Sequence, residues 1–293
     1  MKILITNIKE LVQVEKISKT KVSGKEMNVL PTIKNAYLLI ENSLIKDFGK
    51  MKDLPDFNVN KTINASGKIV LPAWCDSHTH LVYAGNREQE FIDRINGLSY
   101  QEIANKGGGI LNSAKILQET SEEELYRQSS KRIEEIMKLG TGAVEIKSGY
   151  GLTLRDELRS LDIASAFTDE TTLLAAHVIP EEFTNDPQGY VDLIVKEIIP
   201  ASSAKWIDVF CDAGAFSPEQ TRAILLAGKG AGMLPRIHAN QLSRTTAVAL
   251  AIELDAASAD HLSASTDADI EALAGSTTVA TLLPGAEFST QHE

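Results

Sequence analysis

Val70-Leu71-Pro72-Ala73-Trp74-Cys75-Asp76-Ser77-His78-Thr79-His80 (VLPAWCDSHTH) is the stretch that decides how this chain is read. An apolar run of strand length, Ile69 to Ala73, leads into two histidines separated by one residue. On an extended backbone, side chains two apart project to the same face, so both imidazoles can converge on one metal ion, at about 2.0–2.1 Å for zinc. A lone His-x-His is a weak signal, because most such pairs are surface or hydrogen-bonded histidines. Its place at the end of the first buried run gives it weight.

Outward from this point the same rhythm recurs. Apolar runs of strand length stand at Ile69–Ala73, Ala143–Ile146, Thr172–Ala176, Trp206–Phe210, Leu234–Ile237, Ala256–Ala259 and Thr278–Leu283, with amphipathic segments between them. This is the pattern of successive βα units. Ser121-Glu122-Glu123-Glu124 has the form of a capping box and leads into Leu125, Ile133, Ile136 and Met137 at helical spacing, closing near Gly140. Ser217-Pro218-Glu219-Gln220 repeats the device with proline at the first helical position, and Thr266 with Asp269 is a weaker instance. The runs are mostly continuous in apolar character rather than alternating, which favours parallel strands covered on both faces. No glycine-rich phosphate loop follows an early strand, so a doubly wound nucleotide-binding sheet is disfavoured. The predicted fold class is α/β, a (β/α)8 TIM-type barrel for which the chain supplies seven of eight strands.

Before the first run the character differs. Tyr37–Ile40 and Leu44–Phe48 flank Glu41-Asn42-Ser43, which reads as a hairpin turn in a small antiparallel sheet. Two domains are therefore expected: a small β-sandwich-like domain over 1–67 and the barrel over 68–293.

Polar side chains recur at the C-terminal ends of the runs: Asp76, His78 and His80; Glu145, Lys147 and Tyr150; His177; Asp208 and Asp212; His238; Asp260 and His261. In a barrel those ends form the face that holds the active site. His238, in RIHAN, reads as a third metal ligand or as a core histidine held by a carbonyl, and its place at the fifth run's end favours the ligand. His261 could move a proton or polarise a substrate carbonyl. Asp260, one residue earlier on a strand, is expected to point the opposite way and to pack structurally. His177 reads equally as a substrate contact or a satisfied buried histidine. Gly107-Gly108-Gly109 is expected to be a flexible loop. Lys147 invites comparison with a metal-bridging carbamylated lysine, although an ion-paired lysine is commoner.

Composition narrows the classes further. The 293 residues are 43% hydrophobic, an ordinary globular balance, and carry a formal net charge of −11. No dense basic cluster exists to track a phosphate backbone, so nucleic acid is not an expected partner. No apolar run reaches the roughly 18–20 residues of a spanning helix, and the start lacks the build of an export signal. A cytoplasmic location is expected, away from membranes. The two cysteines, Cys75 and Cys211, are far apart and are expected to be reduced and buried.

At these residues the sequence resembles the imidazolonepropionase family of the amidohydrolase superfamily. The segments that carry the likeness are LPAWCDSHTHLVYAGNREQEF, the GGGI loop, AVEIKSGYGL, AAHVIPEE, IDVFCDAGAF, IHANQL, SADHLSAST and ATLLPGAEF, in that order through nearly the whole chain. The resemblance implies one divalent or trivalent metal ion, zinc or iron, held by His78, His80 and His238. It implies hydrolysis of the cyclic amide of 4-imidazolone-5-propanoate to N-formimidoyl-L-glutamate in histidine degradation. Arg87, Tyr150 and His177 take positions of substrate-binding residues, and a guanidinium suits a propionate carboxylate. His261 and Gln241 take catalytic positions. Gln241 stands where some members carry glutamate, and an amide cannot accept a proton, which puts a base role there in doubt. Carbamylated lysines in the superfamily come from the fourth strand, which argues against that role for Lys147.

The likeness stops short at the end. The family's fourth metal ligand is an aspartate in a TDxNPGS-like segment after the eighth strand, and nothing of that kind follows Leu283-Pro284-Gly285-Ala286. The expectation is a truncated chain with an incomplete barrel, weakened metal binding and little activity. The expected partner is a small-molecule substrate, with a homodimer open. The competing expectations are another amidohydrolase acting on hydantoins or purines, and a non-catalytic scaffold or fragment.

Overall fold

Eleven residues, Lys2–Val12, form strand β1, the centre of the first of the chain's two units, Met1–Trp74. The computed structural model describes residues 1–290 apart from 16, 18, 20, 99–101 and 104–107. β1 pairs antiparallel with β2 (Thr32–Glu41), and β2 with β3 (Leu44–Lys50). On its other edge β1 runs parallel to β4 (Lys61–Asn64) and to β5 (Ile69–Val70). Asn7, at φ 54°, lies where the β1–β2 register shifts between Ile5 and Ile8, a bulge that asparagine tolerates.

Both faces of this sheet are covered. Ala36 and Leu38 pack with Ile8 and Leu11, while Tyr37 and Leu39 face the other way onto Leu4, with Met51, Leu54 and Phe57 around them. That is why Ala36 to Leu39 are buried in succession instead of alternately. Among the described residues the unit is one mixed sheet, not the small antiparallel sandwich expected from the sequence. Ile69–Val70 also departs from expectation. Instead of opening the barrel, it hydrogen-bonds to β1 at Glu10 and Leu11, and Pro72, which has no N–H to donate, follows it.

The second unit, Cys75–Glu293, starts its parallel array one element later, at β6 (Trp74–Asp76). β6 pairs with β7 (Thr141–Val144), and the chain then continues as β8 (Ile146–Lys147). Glu145 N–H donates to Asp76 O and Lys147 N–H to Thr79 O, so the two segments advance in the same direction. From β8 the sheet proceeds through β9 (Thr171–Ala176), β10 (Trp206–Cys211), β11 (Leu234–Ala239), β12 (Ser258–His261) and β13 (Val279–Thr281), each parallel to the last. Helices lie between these strands, among them Glu122–Lys138, Leu154–Ser165, Pro218–Gly230 and Asp267–Ala274. Ser217 with Gln220 and Thr266 with Asp269 form complete capping boxes. Ser121 caps its helix from one side only, because the Glu124 carboxylate turns to Arg127 and Gln128.

The core beneath the array is built from Leu173, Ala175, Ile207, Val209, Ile237 and Ala259 of the strands with Ile194, Ile224, Leu225 and Val248 of the helices. β9 is buried at every residue, as expected of a parallel strand covered on both sides. Cys211 is buried, whereas Cys75 is exposed, against the expectation that both would be enclosed. Among the described residues no helix is long and apolar enough to cross a membrane.

The β2–β3 turn has positive φ at both central residues, Asn42 (51°) and Ser43 (67°), the geometry of a type I′ turn, for which Asn-Gly is the favoured pair. Ser43→Gly should therefore raise stability by about 0.5–1 kcal/mol, read as a higher urea midpoint at unchanged slope. A lower midpoint would show that the serine side chain, not the backbone, holds the turn.

Candidate metal centre and active-site cavity

His78 and His80 follow β6 directly, and His238 is the fifth residue of β11. The curl of the sheet brings the two places together: the His78 and His238 rings lie 4.6 Å apart between centroids, and those of His80 and His238 5.5 Å. Ligand nitrogens of His78, His80 and His238 all lie within 4.8 Å of one another. His238 Nε2 faces His80 Nε2 at 3.4 Å. Two nitrogens bound tetrahedrally at about 2.0–2.1 Å would sit roughly 3.3–3.4 Å apart. His78 Nε2 is buried without a hydrogen-bond partner among the described residues. The donor set and its spacing thus fit a metal ion.

Carboxylates fix the far side of two of these rings. His78 Nδ1 lies 2.6 Å from Asp260 Oδ2, and His238 Nδ1 2.9 Å from Asp208 Oδ2. Such partners set the tautomer and leave Nε2 as the lone-pair donor. Asp260 therefore faces the site, contrary to the alternation expected of it. His261 faces the site as well, because its backbone enters the left-handed region at φ 77°, followed by Leu262 at 67°. The strand ends there, and two consecutive side chains serve one side: the His261 ring lies 5.2 Å from His78 and 5.1 Å from His238.

Burial dominates the titration of the ring cluster. It lowers His78 and His238 to about 4 and His177 to about 3, and holds His80 well below the ordinary histidine value. At neutral pH these imidazoles are uncharged, the form that binds metal. Burial pushes the Asp260 carboxyl up, but the His78 hydrogen bond and Lys147 outweigh it and set it at about 2.

A cavity of about 300 Å³ opens beside the rings. His80, Tyr150, His177, His238, Gln241, His261 and Arg87 all line it, so of the eight residues expected to bind metal or substrate or to act in catalysis, seven meet there and His78 is enclosed behind them. His177 donates its Nδ1–H to Gly149 O, 2.9 Å away, and its ring stacks on His80 at 5.1 Å. Gly149 is required at its place: φ is +114°, and a Cβ there would stand 2.9 Å from His177 Nδ1. Arg87 is steadied by Glu90, with Nη2 2.6 Å from Oε2, while Glu90 Oε1 accepts the Gly109 N–H at 2.9 Å. His261 Nδ1 meets Glu287 Oε1 at 3.0 Å.

Glu157, Glu90 and Arg94 were missed in the sequence, and Asp212 was noted there only as an acid at the end of a run. Glu157, buried in helix Leu154–Ser165, accepts the N–H groups of Gly149 (3.1 Å), Gly151 (2.8 Å) and Leu152 (2.8 Å) and so shapes the loop that carries Tyr150. Asp212 does the same for the loop after β11, accepting the Gln241 and Leu242 N–H groups at 2.9 and 2.7 Å. Arg94 and Glu90 join Arg87 on the cavity wall. The expected glycine loop falls partly outside the described residues, since Gly107 is not among them. Gly109 starts the helix Gly109–Glu119 instead of lying in a loop, with Gly108 as its cap. Lys147 is enclosed among carboxylates, the ion-paired alternative of the sequence reading.

No protein-family model matches the chain. Curated relatives are far more informative. The chain is 56% identical over 294 residues to the imidazolonepropionase of Christiangramia forsetii, covering 97% of this chain and 72% of the relative. It is 52% identical over 295 residues to the imidazolonepropionase of Flavobacterium johnsoniae, with the same coverages of 97% and 72%. With that of Streptomyces avermitilis it shares 47% over 266 residues, covering 90% and 63%. Among solved structures, E. coli guanine deaminase matches with a TM-score of 0.65 at 13% identity, over 99% of this chain and 69% of the other. The atrazine chlorohydrolase TrzN of Arthrobacter aurescens complexed with zinc matches with a TM-score of 0.58 at 14% identity, over 99% and 67%. These structures establish likeness of fold.

His78 and His238, neutral in the folded chain down to about pH 4, His177, neutral to about pH 3, and His80, held well below the ordinary histidine value, would each bind a proton in the unfolded chain below about 6.5. The unfolded state thus holds more protons across pH 6.5 to 4, so stability is complete above 6.5 and is lost as pH falls through that window, by up to ~1.4 kcal/mol per pH unit per histidine. Thermal melts of metal-free protein should fall steeply there. A flat melting temperature would mean that the rings are solvated.

Proposed function

The chain belongs to the imidazolonepropionase family, and from that premise we propose that it hydrolyses the cyclic amide of 4-imidazolone-5-propanoate to N-formimidoyl-L-glutamate, a step of histidine degradation. The observation that carries the reading is the convergence of His78, His80 and His238 at the wall of a cavity that also holds a guanidinium. In this reading the curled parallel sheet belongs to a (β/α)8 barrel, the metal is zinc or iron, and the reaction takes place in the cytoplasm on a small-molecule substrate.

His78, His80 and His238 would hold the metal. A metal ion there supplies Lewis acidity and makes water a nucleophile near neutral pH. The remaining tasks fall to the chain's own side chains. Arg87 grips the propionate carboxylate through parallel N–H bonds, held in place by Glu90. Arg94 lies beside them on the same wall. Tyr150 and His177 lie against His80 and hold the ring of the substrate at that side of the cavity. His177 is kept neutral by burial and spends its one N–H on Gly149 O, so it offers substrate the lone pair of Nε2. His261, anchored through Nδ1 by Glu287, is placed to move the proton that passes from the water to the leaving ring nitrogen or to stabilise the oxyanion. Gln241 binds substrate through its amide and, lacking a titratable proton, does not act as base.

The protein purified in zinc should carry about one ion per chain, and His78→Ala should remove it, as read by elemental analysis after gel filtration. Retention of stoichiometric metal by His78→Ala would break the ligand assignment. Arg87→Ala should raise KM for the imidazolone propionate by roughly 10- to 100-fold with a smaller change in kcat, the mark of lost carboxylate binding. An unchanged KM would exclude Arg87 as the clamp.

A further inference from the structure

The chemistry above makes no use of Lys147, although its side chain is fully enclosed, with 0% exposure. Its Nζ lies 2.9 Å from Asp208 Oδ2, 3.0 Å from Glu145 Oε1 and 3.9 Å from Asp260 Oδ2. The same two aspartate oxygens face the metal-ligand rings, Asp208 Oδ2 at His238 Nδ1 (2.9 Å) and Asp260 Oδ2 at His78 Nδ1 (2.6 Å). One ammonium therefore stands at the node of both histidine–carboxylate pairs. Glu145 is held on the other side of it by the Thr79 N–H at 3.2 Å and the Thr172 hydroxyl, so the cluster is fixed from several elements.

The geometry sets up a competition. A cation bound at the Nε2 face of the rings draws on the two aspartates through the imidazoles, while Lys147 draws on the same oxygens directly. Both cations lie in an enclosed region where charges are poorly screened, so each weakens the other's hold. A buried lysine is expensive to keep, and a methionine of similar volume would fill the space without desolvating a charge. Its retention among three carboxylates fits a role in charge, not in packing.

We propose that Lys147 is the internal counter-ion of the metal centre: it neutralises Asp208 and Asp260 while the centre is empty and so sets the metal affinity lower than the three histidines and two carboxylates alone would give. The proposal rests on the reading that His78, His80 and His238 hold a metal.

The test is zinc affinity of the 293-residue chain at pH 7, by competition with a chromophoric chelator, alongside thermal melts with EDTA and with zinc. Lys147→Met should bind zinc more tightly by roughly 5- to 150-fold, the usual range of coupling between two sites. Its EDTA melting temperature should fall below that of the parent, and the rise on adding zinc should be larger. A role in packing alone would not tighten zinc binding, so equal or weaker affinity in folded Lys147→Met overturns the proposal. If Lys147→Met folds only with zinc, the proposal is supported. If it does not fold even then, the charge-balanced double variant Lys147→Met with Asp260→Asn must fold, and its failure overturns the proposal. Absence of zinc binding by the parent chain removes the metal reading and this inference together, whereas zinc binding by the parent without tightening in Lys147→Met removes this inference alone.

Discussion

Asp260 Oδ2 meets His78 Nδ1 at 2.6 Å, joining residues 182 apart in sequence across the interior of the curled sheet. The contact requires that the chain after β6 and the end of β12 face the same point, which a flat parallel sheet with four strands between them would forbid. Both side chains are almost wholly enclosed, and a carboxylate in such a place is tolerated only when it is paired. The site therefore depends on the fold for its convergence, and the interior of the fold depends on the site's pairing to remain satisfied.

Around this contact, side chains proposed to hold metal and substrate are held in turn by carboxylates. Asp208 faces His238, Glu287 faces His261, Glu90 steadies Arg87, Glu157 gathers the backbone of 149–152, and Asp212 gathers that of 241–242. These acids carry part of the chain's net charge of −11 inward, where each is matched by an imidazole, a guanidinium or backbone N–H groups. Rigid placement of this kind lets short strands and tight loops define where atoms held in the cavity would lie.

Much of this was legible beforehand, for physical reasons. Continuous apolar runs announced the parallel strands, because a strand covered on both faces has no reason to alternate. The capping residues Ser217 and Thr266 marked helix starts, because their oxygens satisfy N–H groups that nothing else can reach. Histidines at run ends pointed to one cavity, because parallel strands deliver their C-terminal ends to one side. The misses are equally instructive. Ile69–Val70 has the composition of a barrel strand, but backbone pairing to Glu10 and Leu11, invisible in local sequence, claims it for the first unit. Asp260 was assigned to the wrong side because strand alternation presumes that the strand continues, and positive φ at His261 ends it. Glu157 carried no signal at all: on a charged helix face, a buried acceptor of three N–H groups looks like any solvated acid.

The most direct measurement is X-ray absorption at the zinc edge of the zinc-loaded chain. Three imidazole nitrogens at about 2.0–2.1 Å are expected in the first shell, with the multiple scattering of histidine rings. A shell of oxygens alone, or of a single imidazole, would contradict the convergence of His78, His80 and His238 on which the proposed chemistry stands.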